Sequence, residues 1–591
     1  MKASARFYCH LTLLLNAALL SCPLFLGGEE ALREKPALRR PVALGICGDW
    51  LLCGNRNSGS VSLVDLDLLK VSSEYRIGPA LGDLESTGTG ALVTDPVTGR
   101  LLSLALAGGK LETSAMVPVT GAPQDIALAR SGKRCSVASP WNRRITLVEL
   151  EELEGGQARL AKTAVTRLPF APGLQVFCRN DTLLVVADAF GGNLALVDPR
   201  DGKLLGTRVI EAHGIRGLVA SRDGKNLYLS HQRIEGSAPT TRNRVFWGQV
   251  ISNILRSIRI DHLLEDTAAR GGKPRPVAHW SLYPFGTPSK AAGDPGALAI
   301  GRGGTTLVAL GGVDRIGLRP RPNHVFEELE VGDRPVAVAL GPREHYGYVA
   351  NFFDDSISVV DLAEAEVIQT ISLGPERPLS QAEKGEKLFY DAKLSLDGWY
   401  SCHSCHLDGH THGQLNDNLG DDTYGTPKRV PSLQGTSNTG PWGWIGNRTT
   451  LWEQVEKSIE TTMRGGKPGA PTVEALVAYL ELFDTVPPGR PAANKAAVDR
   501  GRLVFERLKC GQCHRPPTYT SVGTYDVGLA DETGQSSYNP PSLKGLQHRG
   551  RFLHDNRAAT LSRAIELHRP ASAKSLRGTD QSDLLSFLLS L

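Results

Sequence analysis

Tyr348-Val349-Ala350-Asn351-Phe352-Phe353-Asp354-Asp355-Ser356-Ile357-Ser358-Val359-Val360-Asp361 reads as a single β-hairpin. Two short runs rich in Val, Ile and Tyr flank a polar turn, and an acid closes the second run. The same phrase occurs near the start of the chain as Leu51-Leu52-Cys53-Gly54-Asn55 followed by Val61-Ser62-Leu63-Val64-Asp65, and weaker copies end at Glu149 and Asp198. Further strand pairs are expected near Arg100 to Thr113, Asn226 to Ile260 and Thr305 to Arg315. Seven units then lie between about residues 45 and 375, at a pitch of about 42 residues, the length of a four-stranded propeller blade. The fold expected for residues 40–375 is an all-β seven-bladed propeller, with a pair of β-sandwiches as the alternative. The stretch from Arg233 to Ser289, with Trp247 and Trp280, is longer than a blade needs. It is expected to be a loop insertion over one face, where function tends to sit.

The Tyr348 block resembles the YVTN family of seven-bladed propellers. Beyond Pro375 the pattern turns helical around two pentapeptides, Cys402-His403-Ser404-Cys405-His406 and Cys510-Gly511-Gln512-Cys513-His514. In C-x-x-C-H the two thiols add to the porphyrin vinyl groups, and the adjoining histidine, His406 or His514, is held under the iron as proximal ligand. A redox dithiol or half a zinc site competes for a single copy; two copies in equivalent contexts favour haem. Gly385-x-x-Leu388-Phe389 answers to Gly501-x-x-Val504-Phe505 ahead of the cysteines, and the closing segments Leu476–Leu480 and Leu584–Leu588 are separated by the same interval as Cys402 and Cys510. Pro431-Ser432-Leu433-Gln434-Gly435 recurs as Pro541-Ser542-Leu543-Lys544-Gly545, and Thr450-Leu451 as Thr560-Leu561, both at a single, slightly longer interval. A duplicated, mainly α cytochrome c domain over 376–486 and 495–591 explains these repeats, with Pro487-Pro488-Gly489-Arg490-Pro491 as the linker. The chain is thus expected to be multidomain.

Its 591 residues carry 66 basic and 62 acidic side chains, a net charge of +4. There is no long basic run with interleaved aromatics, which argues against a nucleic-acid partner. Residues 1–28 read as an export signal, with Lys2 and Arg6 ahead of an apolar run from Leu11; a membrane helix is the alternative. Leu19-Leu20-Ser21-Cys22 resembles a lipobox, which would make Cys22 a lipid anchor, although Pro23 follows it directly. The expected location is the periplasm or the outer face of a bacterial membrane, in agreement with haem attachment. Cys47, Cys53, Cys135 and Cys178 remain, and Cys47 with Cys53 forms either a short-loop disulfide or a pair of buried thiols.

In the C-terminal half, Phe552-Leu553-His554-Asp555-Asn556-Arg557 precedes a helical stretch that ends at His568. This resembles the bacterial di-haem cytochrome c peroxidases and the related MauG enzymes, whose aromatic-His-Asp-Gly motif precedes a helix carrying the distal ligand of the second haem. The resemblance covers roughly residues 380–591. It implies His514/His568 coordination, with His548 and His554 as competitors. Shifted back by the interval that separates Pro541 from Pro431, His568 maps to Ser458 and His554 to Trp444. Serine hardly ligates iron, so the first haem is either open or held by Met463, five residues on; His410 and His412 are read as loop residues over the haem edge. The resemblance also puts Trp444 between the haems and Gln454 over the first. The family's catalytic glutamate falls on Arg464, leaving Glu460 or Glu453 as stand-ins. It further implies a calcium ion, for which Asn416-Asp417-Asn418-Leu419-Gly420-Asp421-Asp422 is the candidate cradle or, equally, a solvated loop.

The function expected is reduction of hydrogen peroxide, or a MauG-like oxidation, at an open first haem. The second haem would supply electrons from a small redox protein or a quinol-linked donor. The alternative is an electron carrier with both haems six-coordinate and a propeller that binds a partner. A third reading gives the propeller the leading part, binding a substrate and presenting it to the haems. The ligand of the propeller is not readable from the residues.

Overall fold

The computed structural model describes residues 37–591 except 154–156, 266–274, 278–279, 488–493, 569–575 and 577. The signal segment with Cys22, and the linker beyond Pro487, lie outside the described residues. Among those described, no helix is long and apolar enough to cross a membrane.

Seven four-stranded antiparallel sheets follow one another from Pro41 to Ser372, at Pro41–Arg76, Leu84–Pro118, Asp125–Arg167, Pro172–Val209, His213–Phe285, Pro295–Glu330 and Pro335–Ser372. The fourth adds a short parallel strand, Arg275–Pro276. Innermost strands of consecutive blades touch around a ring, and Pro335–Leu340 of blade 7 meets Pro41–Cys47 of blade 1. This is the expected seven-bladed propeller, with radial closure protecting the sheet edges. All four strands of blade 7 come from one continuous run. The seam is instead held by Asp355, whose carboxylate accepts the backbone N–H of Arg39 at 2.9 Å and of Arg40 at 2.7 Å. An apolar layer of Leu51, Cys53 and Val64 against Tyr348, Ile357 and Val359 lies behind it.

The repeated phrase has a physical reason at each polar position. Asn351 Nδ2 donates across the hairpin turn to the Ser356 and Ser358 hydroxyls at 3.0 and 2.9 Å, and Asn55 does the same to Ser60 and Ser62 at 3.1 and 2.9 Å. The closing acids cap the next turn: Asp361 accepts the N–H groups of Ala363 and Glu364, and Asp65 those of Asp67 and Leu68. Cys47, Cys53, Cys135 and Cys178 are buried free thiols. Cys53 stands opposite Leu44 and Cys47 opposite Trp50 in the blade 1 register, so the short-loop disulfide does not form.

The Arg233–Ser289 insertion differs from the free loop expected. Much of it completes blade 5 as strands Ile251–Arg259 and Trp280–Phe285. Its first part, after Ile234, clasps the first helical half. Pro239 bridges Asp417, Thr240 N–H donates to Asp417 O at 2.8 Å, and Thr240 Oγ1 donates to Thr461 O at 3.2 Å. Val245, Val250 and Ile251 share one apolar core with Phe389, Trp399 and Tyr400. The boundary drawn at 375/376 is therefore a boundary of pattern, because residues 37–591 form one compact unit.

The helical halves repeat each other. The Gln381–Phe389 helix packs on Ala470–Leu480, and Lys495–Arg507 packs on Thr579–Leu588. Gly385 and Gly501 are the points of closest approach. A Cβ on Gly385 would collide with the Ala475 carbonyl and Tyr479 Cβ, and one on Gly501 with the Asp583 carbonyl and Phe587 Cβ. Only glycine lets these helices cross so closely, which is why the Gly-x-x-apolar-Phe phrase occurs in both.

Candidate functional site

Cys402-His403-Ser404-Cys405 forms one helical turn, and propeller residues hold it from outside. Asp294 of the loop before blade 6 accepts the hydroxyls of Ser401 and Ser404, the latter at 2.5 Å. Asn253 Nδ2 donates to Trp399 O at 3.0 Å, and Arg216 pairs with Asp408 at 2.8 Å. His403, between the two cysteines, is buried against Tyr390.

His406 follows with its Nδ1 donating to the Pro431 carbonyl at 3.0 Å, which leaves Nε2 free for a ligand bond. The second copy repeats this: His514 bonds the carbonyls of Tyr519, at 3.2 Å, and Pro541. The Pro-Ser-Leu phrase thus recurs because its proline carbonyl orients each histidine. Burial lowers His406 and His514 to about 4, His568 adding to the effect on His514; neutral imidazole is the form that binds metal.

His514 and His568 face each other with ring centroids 6.3 Å apart, a gap that admits one metal ion bonded to both rings at about 2 Å. Their competitors are engaged elsewhere. His554 stacks on Tyr538 at 4.2 Å, and His548 packs on Trp141 with its Nε2 at 3.0 Å from Pro487 O. His410 is buried against Trp141 and Phe190, and His412 is buried against His213.

On the other side of the first motif lies a cavity of about 280 Å³, lined by Cys402, Cys405, His406, Trp444, Gln454 and Met463 among others. Ser458 also lines it. Thr450 and Thr560 are N-caps, and Ser458 and His568 the C-caps, of the equivalent helices Leu451–Lys457 and Leu561–Leu567. Backbones part there. His568 leaves the helix with ψ 89°, whereas Ser458 continues into a π-helical turn, Ser458–Thr462, closed by Met463 N–H on Ser458 O at 2.9 Å. Wide turns of this kind are frequent at functional sites.

Trp444 stands between the halves. Its indole N–H donates to Arg429 O at 2.8 Å, and its ring lies 6.3 Å from that of His554. The bridges Trp442–Arg448 and Phe552–Ala558 are the same turn twice, at the interval of the proline phrases, so these two rings are one another's counterparts.

Two expected groups are elsewhere. Glu460 is half-buried but is not among the residues lining the cavity. Glu453 is exposed and spends its carboxylate on the Thr449 and Thr450 N–H groups, completing a capping box. Arg464, in the family glutamate's place, turns to Thr240 O at 2.5 Å. No carboxylate lines the cavity among the described residues.

In the acidic stretch, Asp421 already has a side-chain cation as partner. Lys428 Nζ, buried, donates to Asp421 at 2.8 Å and to Asp531, the counterpart of Asp421, at 3.0 Å. A side-chain cation thus occupies the space between duplicated acids, and no cluster able to hold a bare metal ion occurs among the described residues. Lys428→Met removes the cation shared by two carboxylates and leaves them the hydroxyl and turn N–H donors of Thr426, Thr533 and Gln535. It is expected to cost about 3–5 kcal/mol in denaturant unfolding.

Arg429, buried, and Arg549, half-buried, both line the cavity and have no carboxylate partner among the described residues. Burial lowers Arg429 to about 9, with Arg549 close by adding to the effect, and Arg549 to about 10. Two uncompensated guanidiniums at a C-x-x-C-H cavity fit the two propionates of a haem. Lys428, Lys457 and these arginines lacked any sequence signal, since their partners are scattered along the chain.

Residues 380–500 match the family model described as di-haem cytochrome c peroxidase. The chain is 24% identical to cytochrome c551 peroxidase of Nitrosomonas europaea over 284 residues, 39% of this chain and 85% of that protein. It is 24% identical over 281 residues to methylamine utilization protein MauG of Methylophilus methylotrophus, 36% of this chain and 82% of that one. It is 25% identical over 272 residues to hydrazine synthase subunit gamma of Kuenenia stuttgartiensis, 35% and 76% of the two chains. Among solved structures, hydrazine synthase of the same organism aligns with TM-score 0.46 and 18% identity, over 57% of this chain and 99% of the other. The chain thus joins a seven-bladed β-propeller to a C-terminal region of which residues 380–500 match the di-haem cytochrome c peroxidase family model.

Proposed function

We propose that this is an exported di-haem c-type cytochrome that reduces hydrogen peroxide, or carries out a MauG-like oxidation, at its first site. The observation that carries the reading is Ser458: one half places a histidine across from its C-x-x-C-H motif, the other a side chain that does not ligate iron. Cys402, Cys405 and His406 would hold one haem, and Cys510, Cys513, His514 and His568 the other. Bound haem supplies one-electron redox chemistry and, where a coordination position is free, a place for a small molecule.

The chain's residues do the rest. Pro431 and Pro541 fix the proximal rings through Nδ1. Gln454 turns its amide to Ser458 Oγ at 3.1 Å within the cavity and is available to orient a small oxygen ligand. Trp444 offers an indole between the halves as a route for electrons. Arg429 and Arg549 offset anionic charge. The donor is a small redox protein or a quinol-linked carrier outside the inner membrane, and the propeller, besides buttressing the first motif, offers a face to a partner.

Low-temperature EPR of the oxidised and half-reduced protein tests this. A high-spin ferric signal that shifts with azide or cyanide is the expected result. Two low-spin signals indifferent to ligand in both states overturn it. That outcome would favour the carrier, a reading supported by the buried Met463 thioether in the cavity wall.

A further inference from the structure

The duplicated helices diverge where they border the two motifs. The second half carries Ala564, Leu567 and His568; the equivalent positions of the first are Gln454, Lys457 and Ser458, and all three line the cavity with His406. An apolar, ligand-bearing surface has become a polar one.

Lys457 has no carboxylate partner among the described residues. Its ammonium donates to Asn418 O at 2.8 Å and Thr462 Oγ1 at 3.2 Å, so one of its three N–H bonds is uncommitted. Among the other cations, Arg448 is spent on Asp422 at 3.0 Å, Lys428 on Asp421 and Asp531, and Arg464 on Thr240 O, while Arg429 and Arg549 are the pair fitted to the propionates. Burial lowers Lys457 to about 8; Arg448 and Arg464 add to this, while Asp422 and Asp421 oppose it. An ammonium titrating there is charged at neutral pH yet releases its proton readily. Glu460 and Glu453, the acids expected to serve, do not reach the cavity.

We propose that Lys457 is the proton donor of the first site, its free N–H bonding a small anion or peroxide oxygen held opposite His406. The inference rests on the peroxide-reducing reading for its reaction, but not for its anion contact. Reduction of hydrogen peroxide breaks the O–O bond and consumes two electrons and two protons to give two waters. The external donor supplies the electrons. Lys457 gives one proton to the departing oxygen and recovers it from solvent, which also supplies the second.

The test uses the full-length oxidised holoprotein with fluoride as probe anion, titrated by optical spectroscopy from pH 5 to 9, beside peroxide consumption. Wild type is expected to lose fluoride affinity as pH rises through about 8. Lys457→Met is expected to bind fluoride about 10- to 100-fold more weakly at neutral pH, without that limb, since a charge-assisted hydrogen bond is gone. Its peroxide turnover should fall by about a hundredfold or more. Lys457→Arg should retain fluoride binding and move the alkaline limb upward. An unchanged spectrum of the second haem certifies folding of each variant. Fluoride affinity and pH profile identical in wild type and both variants overturn the assignment and leave the peroxide reading standing. Lys457-dependent fluoride binding without peroxide consumption upholds the anion contact and removes the peroxide reading instead.

Discussion

Ser458→His converts the first site into a second copy of the other: the high-spin EPR signal disappears, a second low-spin signal takes its place, and peroxide consumption falls by about a hundredfold or more. The expectation follows from equivalence in three dimensions. Positions 458 and 568 are C-caps of helices with the same N-cap threonines, and both belong to walls that face a C-x-x-C-H histidine. An imidazole there competes at the iron far better than the serine hydroxyl. The helix at Ser458 continues with φ −63° and ψ −42°, whereas His568 sits at φ −80° and ψ 89°, so the new side chain has to find the iron from a slightly different backbone. A variant that keeps its high-spin signal and its turnover would mean that Ser458 does not stand over the metal. Conversely, His568→Ser should expose a second high-spin centre and leave the first unaltered.

The other large effect comes from separating the two parts of the chain. Residues 376–591 alone are expected not to fold their first half: circular dichroism should show lost helix relative to the same segment in the full chain, and the C-x-x-C-H at 402–406 should bind haem poorly. Val245, Val250, Ile251, Phe352 and Phe353 of the propeller lie in one buried cluster with Tyr390, Trp399, Ile459 and Met463. Uncovering Tyr390, Trp399, Ile459 and Met463, at about 1.5–3 kcal/mol each, removes roughly 10 kcal/mol, which matches the whole stability of an ordinary domain. The polar anchors Asp294, Asn253 and Arg216 go with them. Residues 495–591 have their own core around Val504, Phe505, Leu546 and Phe587, so the second half should survive. A cooperative, haem-replete fragment with both halves intact would contradict this.

Most of the architecture was legible because it rests on local repetition. Asn351 with Ser356 and Ser358, and Asp361 with its own turn, are bonds made between near neighbours in the chain, so each hairpin announces itself. The same holds for Gly385 and Gly501, and for the two proline phrases, whose roles as helix crossing and histidine anchor become plain only in three dimensions. What could not be read is what joins distant segments. Lys428 is unremarkable in sequence; only the fold brings Asp531 to it from 103 residues away and places an ammonium between Asp421 and Asp531. Glu460 looked serviceable by spacing, but the π-helical turn over Ser458–Thr462 changes the helical register, and it does not line the cavity. The Arg233–Ser289 stretch was legible as extra length, while its partner, the first helical half, was not.

The clasp from Pro239 and Thr240 onto Asp417 and Thr461, together with Asp294 under Ser401 and Ser404, has a consequence for the order of biogenesis. With the clasp closed, Cys405 is buried and Cys402 largely covered. A porphyrin destined for these thiols would have to enter the cavity they line, whose walls come from the two helical halves, and meet a turn that the propeller already pins. Cys510 and Cys513 remain half-exposed and lie outside the clasp. Were haem attached to both motifs, maturation would be unequal: the second pair sits on a half-exposed turn, whereas the first would be loaded only while the cavity between the halves is open.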